Sequence, residues 1–241
     1  MKLQGSRIEH CRLAEERNFR PGPELLHGIT PDTERVFLCQ PNNPTGVTAD
    51  PELVRSVLRR CREAGALLLA DECFVDFLDE PGQFSLIREL GEGNLLILRA
   101  FTKFYGMAGL RLGYCITDDP DLAEKLTAHG QPWPVSAPAQ AAGLAALSDR
   151  EYAESLRCLI RTERAVLMEG LSRLGMRVIP GEANFLLFFS PDPELDQKLA
   201  REGVMLRNCA NFPGLGQGWY RAAVRTRKEN AEFLQILGRC V

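Results

Sequence analysis

Apolar runs and polar clusters alternate along the first half of the chain. Val36-Phe-Leu-Cys39 is a short apolar run, and the Pro41-Asn-Asn-Pro-Thr-Gly46 that follows is dense in turn residues. Asp50-Pro51 predicts a helix start, a cap followed by proline in the first turn. Leu53, Val54, Val57, Leu58 and Cys61 keep helical spacing, and Gly65 closes the helix. Ala66-Leu-Leu-Leu-Ala70 reads as the next buried strand, with Asp71-Glu72 at its carboxyl end. Leu95–Leu98 is a third strand and Gly113–Ile116 a fourth. Continuous apolar strands alternating with helices predict an α/β fold whose largely parallel sheet is covered on both faces. From about Ala137 the pattern changes. An Ala-rich helix to Leu147 and a long amphipathic helix from Glu151 to Leu174 meet at a break near Ser148-Asp149. Short elements follow: strands at Arg177–Ile179, Asn184–Phe189, Val204–Leu206 and Tyr220–Val224, a helix from Glu194, and a last helix from Lys228 to about Leu237. The expected division is a large domain over 1–147 and, over 148–241, the connecting helix with a small α+β domain.

Bulk composition narrows the classes of function. A chain of 241 residues with 45% apolar and 25% charged residues is ordinary for a globular protein. A net charge of −3 gives no reason to expect nucleic acid or an anionic membrane as partner. The opening residues lack the apolar core of a secretory leader, and no apolar stretch approaches the ~20 residues that span a bilayer. Eight cysteines are scattered without a C-x-x-C pair, and three histidines argue against zinc. The cysteines read as reduced thiols of a cytoplasmic protein.

The polar clusters at Asn42-Asn43, Asp71 and Lys103 each fall just after a strand, where ligands gather in parallel sheets. Lys103, in Arg99-Ala-Phe-Thr-Lys-Phe-Tyr-Gly106, follows a fully apolar strand. A partly desolvated lysine there becomes an amine nucleophile for Schiff-base chemistry. Arg111, flanked by Gly109 and Gly113, suits a phosphate beside that amine. The segment proposes pyridoxal 5′-phosphate (PLP). Asp71 is the candidate for keeping a proton on the pyridine nitrogen, and Asn43 for a hydrogen bond to the phenolic oxygen. Taken singly, each has a plainer reading: Asp71 a cap, Asn43 a turn residue, Arg111 a surface arginine, Thr102 a strand-end hydroxyl, Lys103 a solvated lysine.

Together, Pro41-Asn-Asn-Pro-Thr-Gly46, Ala70-Asp-Glu-Cys-Phe74 and Thr102-Lys-x-Tyr-Gly-x-x-Gly-x-Arg-x-Gly113 resemble the ordered signature of fold-type I PLP enzymes, the class I/II aminotransferase family. The resemblance implies Lys103 as the Schiff-base lysine, Asp71 on the pyridine nitrogen and Asn43 on the phenolic oxygen. It implies Thr102 and Arg111 on the cofactor phosphate and, in Trp219-Tyr-Arg-Ala-Ala-Val-Arg225, Arg221 on the substrate carboxylate, with Arg225 a further anion contact. The family's tyrosine three residues after the aspartate is Phe74 here. Gln131-Pro-Trp-Pro-Val-Ser136, Ala139-Gln-Ala-Ala-Gly143 and Arg207-Asn-Cys-x-Asn-Phe-x-Gly-Leu215 resemble the L-threonine-O-3-phosphate decarboxylase branch of cobalamin biosynthesis, with the histidinol-phosphate aminotransferase branch as the alternative. Both imply a phosphorylated amino compound as substrate and a homodimer once the fold is completed. Residues 1–35, including Gly5-Ser-Arg-Ile-Glu9, resemble the stretch directly before the Asn-Pro-Thr-Gly motif. Family members carry roughly another hundred residues ahead of it, a typical part-domain length. That stretch holds a helix N-terminus for the phosphate, the ring-stacking aromatic and a tyrosine from across the dimer. Its absence leaves three expectations: an active enzyme completed elsewhere, an inactive remnant, or a module that binds phosphorylated amino acids without chemistry.

Overall fold

The computed structural model describes Gly5 and residues 7–241; Met1–Gln4 and Ser6, part of the opening stretch and of the Gly5–Glu9 motif, lie outside the described residues. A one-turn helix α1 (Glu24–His27) leads to strand β1 (Arg35–Cys39), helix α2 (Pro51–Ala64) and strand β2 (Leu67–Asp71). The limits of α2 are set by its caps. Asp50 accepts hydrogen bonds from Glu52 N and Leu53 N at 2.9 and 3.2 Å. Gly65 adopts a left-handed φ of 70°, which lets its N–H reach the last carbonyls. Val54, Val57, Leu58 and Cys61 of α2 then bury against Leu68 and Ala70 of β2 and against Leu95 and Ile97 of the next strand.

That strand, β3 (Leu95–Ala100), is reached through the one-turn helix α3 (Pro81–Phe84) and short 3-10 turns, so strict strand–helix alternation breaks here. β4 (Gly113–Ile116) follows. The sheet runs in the order β1-β2-β3-β4, with the first three strands parallel and β4 antiparallel to β3. Cover on the two faces is unequal, and part of the apolar sheet surface is left open. The α2 side is closed over β2 and β3, although Tyr114 of β4, opposite Arg99, is exposed; on the other side Leu96 is 4% exposed, but Phe37, in register with Leu69, is 57% exposed and Cys115 is exposed. An apolar run reports hydrophobicity on both faces, not what lies against each.

Helices α4 (Pro120–Ala128), α5 (Ala137–Ser148) and α6 (Arg150–Arg173) come next. Asp149 caps α6 by accepting from Tyr152 N at 2.9 Å, which places the break expected at Ser148-Asp149. Strands β5 (Arg177–Val178) and β6 (Phe185–Phe189), helix α7 (Leu195–Arg201), strands β7 (Arg207–Asn208) and β8 (Trp219–Ala223), and helix α8 (Arg227–Cys240) complete the chain. The second sheet is antiparallel, in the order β5-β6-β8-β7. The strand expected at Val204–Leu206 is displaced: Val204 N closes α7 on Leu199 O at 2.9 Å after Gly203 turns at φ 81°, and pairing starts only at Arg207. Leu167 and Leu171 of α6 and Leu237 of α8 pack on one face of this sheet, against Leu186, Phe188 and Tyr220. Phe19 closes the opposite face, its ring edge-on to Trp219 at 5.3 Å. The α6-side core continues into Phe74, Phe77 and Phe104 of the loops after β2 and β3, while the strands of the first sheet pack with α2 in a separate cluster. Among the described residues no helix is long and apolar enough to cross a membrane.

Candidate active site

Parallel pairing aligns the carboxyl ends of the first three strands. Cys39 is in register with Asp71, and Asp71 with Leu98. Asp71 therefore sits mid-sheet on the same face as Phe37 and Leu69, the face that α2 does not cover. Its Oδ1 accepts from Cys73 N at 3.1 Å. Two thiols flank it. Burial, then the Asp71 charge, pushes the Cys39 thiol up to about 12. Cys73 is likewise pushed up to about 12, first by burial and then by Asp71 beside it, while the Lys103 ammonium pulls the other way. Lys103 thus lies within electrostatic reach of the Asp71 corner. It is exposed and ion-pairs with none of the described residues, so the desolvation expected for it is corrected: the open side of the sheet leaves its amine in water.

The hairpin after β3 brings Thr102 and Arg111 together. Ala100 pairs with Gly113, and Phe101 N donates to Leu112 O at 3.2 Å, which brings Thr102 and Arg111 to the neck of one loop. Arg111 is exposed, in a left-handed conformation (φ 56°), and donates to Ala108 O at 3.0 Å.

Asn43 and Arg221 meet across the two sheets: Arg221 Nη1 donates to Asn43 Oδ1, and the guanidinium stands 4.9 Å from the Phe185 ring centroid. The Asn43 amide N–H groups bond no other described residue, leaving donors for a ligand. Burial, against the effect of the Cys209 thiol and helped by the Arg207 charge, draws the Arg221 guanidinium below its ordinary value. Arg207 is directly opposite Arg221 on β7, so both side chains share a face. It donates to Asn211 Oδ1 at 2.9 Å and lies 5.5 Å from the Phe212 ring centroid. Neither arginine is ion-paired among the described residues, and two such cations side by side suit an anion. The sequence reading missed Arg207, although its motif was in view, because the signal is the β7–β8 register. Arg225 is not brought in: it is exposed and ion-paired with Glu229 at the start of α8. Phe74 is buried edge-on to Phe185 at 5.1 Å, with no hydroxyl to offer.

The family model for class I and II aminotransferases matches residues 2–237. The chain belongs to this family. It is 34% identical over 237 residues to the threonine-phosphate decarboxylase of Salmonella typhimurium, covering 97% of this chain and 65% of that protein. It is 38% identical over 218 residues to the histidinol-phosphate aminotransferase of Symbiobacterium thermophilum, covering 89% of this chain and 59% of that one. Among solved structures, the histidinol-phosphate aminotransferase of Clostridium acetobutylicum superposes with a TM-score of 0.82 at 33% identity, over 86% of this chain and 64% of that one. The L-threonine-O-3-phosphate decarboxylase of Porphyromonas gingivalis gives 0.75 at 25% identity, over the same shares. The chain thus spans less than two thirds of the length of these relatives. As a class I/II aminotransferase-family chain it has the fold-type I architecture that its motifs implied, here as one mixed and one antiparallel sheet.

Proposed function

We propose that this chain is the PLP-binding and substrate-anion-binding part of an enzyme acting on a phosphorylated amino acid. The observation that carries the reading is the convergence of Asn43, Asp71 and Lys103 at the ends of three adjacent strands, with Arg221 bonded to Asn43 from the second sheet. The donor set fits the cofactor. An amine answers its aldehyde, a carboxylate its ring nitrogen and an amide its phenolic oxygen; a hydroxyl and a guanidinium at one loop neck answer its phosphate. When bound, PLP supplies an electron sink for the pair released as a bond to Cα breaks. Asp71 would keep a proton on the ring nitrogen, Asn43 would hold the phenolic oxygen, and Thr102 with Arg111 would hold the phosphate. Lys103 would bind the aldehyde and carry protons to and from Cα. Arg221 and Arg207 would grip the substrate's anionic groups, and so select which Cα bond is presented for cleavage. Arg225 has no part in this reading. The division at 147/148 and a homodimeric assembly belong to the same proposal.

Within it, L-threonine-O-3-phosphate decarboxylation to aminopropanol phosphate is favoured by Phe74 at the family's tyrosine position and by the Gln131–Ser136 and Arg207–Leu215 motifs. The second reading, amino transfer from histidinol phosphate, is supported by relatives of comparable identity. Purified protein supplied with PLP is expected to absorb in the visible, and borohydride to fix the cofactor on Lys103. Colourless protein would leave the remnant or the non-catalytic binding module. Carbon dioxide release from threonine phosphate supports the decarboxylase; amino transfer to a keto acid without it defeats that reading.

A further inference from the structure

Arg221 owes its position to residues outside its own strand. The Phe185 ring lies beneath it and Asn43 beside it, the latter 178 residues away on the loop after β1. Pairing with β6, where Leu187 faces Arg221, fixes β8 within its sheet but says nothing about the loop that carries Asn43. Loop and sheet are joined by Val47, buried with Ile179, Leu187 and Trp219, and by a polar junction at Glu182. Gly46 O accepts from Glu182 N at 2.7 Å and from Ala183 N at 3.3 Å. Glu182 Oε2 accepts from Thr48 N at 2.8 Å and from Thr48 Oγ1 at 2.6 Å. Thr48 is 1% exposed, so its donors have no water to replace that carboxylate. Arg164 Nη1 holds the other side of the turn, donating to Glu182 O at 2.8 Å. Among the described residues, Glu182 makes the only side-chain hydrogen bonds between residues 40–50 and the second sheet besides the Arg221–Asn43 bond itself.

We propose that Glu182 is a positioning residue for Arg221: its carboxylate staples the Thr48 backbone to the turn entering β6, and so holds Asn43 against the guanidinium on β8. The staple means that the second sheet and the Asn43 loop move as one body, and the anion-gripping arginine keeps its distance from the strand ends. Its functional meaning rests on the reading of Arg221 above, but its geometry needs no cofactor.

Nitrogen-15 arginine spectra of the full chain test it. Arg221, assigned through Arg221→Lys, is expected to show a guanidinium slow to rotate. Glu182→Ala should free that rotation while the signal of Arg99, held between Glu72 and Asp76, stays in place as the control for folding. Glu182→Gln keeps one oxygen acceptor for Thr48 and should retain the wild-type signal in large part. Affinity for O-phospho-L-threonine, measured with PLP present, should fall about tenfold in Glu182→Ala and little in Glu182→Gln. A folded Glu182→Ala protein whose Arg221 signal is unchanged overturns the proposal. Should that variant fail to fold, Glu182→Asp, which draws the carboxylate back from Thr48 by one methylene, is expected to loosen Arg221, and an unchanged signal there is equally fatal. If the wild type has no affinity for the phosphoamino acid, the anion-gripping reading falls, and the rotation of Arg221 still decides the positioning.

Discussion

Asp71 makes its presence felt in the two thiols beside it, which gives a test that needs no cofactor. Cys73 is held near 12 by burial first and by Asp71 second. In Asp71→Asn the second cause is gone and the first remains. The Cys73 pKa should then lie between its ordinary 9.0 and about 12, and the pH midpoint of its alkylation should drop. Cys39, raised by the same two causes, should move the same way. Midpoints that do not change would show that Asp71 does not face the thiols. That Asn43, Asp71 and Lys103 stand just after strands was legible in the sequence, because each follows an apolar run that leads into a turn. Arg207 and Glu182 were not, because their roles depend on the β7–β8 register and on a contact 134 residues long, neither of which has a local signature. The same limit hid the surroundings of Lys103, whose exposure follows from which face of the sheet is covered.

At the scale of elements, caps were readable and contacts between elements were not. Asp50, Pro51 and Gly65 bound α2 where expected, since capping is written within a few residues; Asp50→Ala should cost about 1 kcal/mol in urea unfolding. The Val204–Leu206 run looked like a strand, yet its first residue was needed to close α7, and Met205 is 89% exposed. One glycine shows how tightly the loop after β1 sits on the second sheet. A Cβ on Gly181 would lie 2.7 Å from Thr45 O, a backbone atom that cannot swing aside. Gly181→Ala should therefore destabilise by about 1–3 kcal/mol in urea unfolding; a neutral result would mean that the loop is free to lift. The start of α8 makes a pH prediction. Thr226 and Glu229 form a capping box, and Glu229 is lowered from 4.5 to about 2, first by Arg225 and then by Thr226. A folded value below the unfolded one means that the unfolded chain takes up the proton first, so the contribution is complete above 4.5 and is lost as pH falls through about 2. Glu229→Gln should thus be less stable than wild type at neutral pH, with the difference closing at the acid end. A gap of constant size across that range would refute the linkage.

For the whole molecule, the decisive feature is that the loops leaving β2 and β3 are built into the core of the second sheet, although the first sheet and α2 have a core of their own. Phe104, next to Lys103 and 1% exposed, stands edge-on to Phe77 at 5.1 Å and lies under Arg157 of α6 at 5.3 Å. Tyr152 of α6 donates its hydroxyl to Phe104 O at 2.9 Å. The loop carrying the candidate lysine is therefore packed into the helix that supports the second sheet. A second buried contact locks that helix to the last one: Glu163, 3% exposed, accepts from Arg227 Nε at 2.8 Å and from Asn230 Nδ2 at 3.2 Å. With these joints, loss of the second sheet strips the loops after β2 and β3 of their packing, and unfolding should be a single transition although the chain is longer than most two-state proteins. Two probes can separate the alternatives. Trp219 is buried on the second sheet while Trp133 is 93% exposed, so the fluorescence change on unfolding reports mainly the second sheet, whereas far-ultraviolet circular dichroism reports all the helices. In urea the two curves should coincide. Phe104→Ala should move both to lower urea together, with a loss of about 3–5 kcal/mol. If the Trp219 curve stays put while the dichroism splits into two steps, the sheets are independent units, and the geometry linking Arg221 to the strand ends is not enforced by the core.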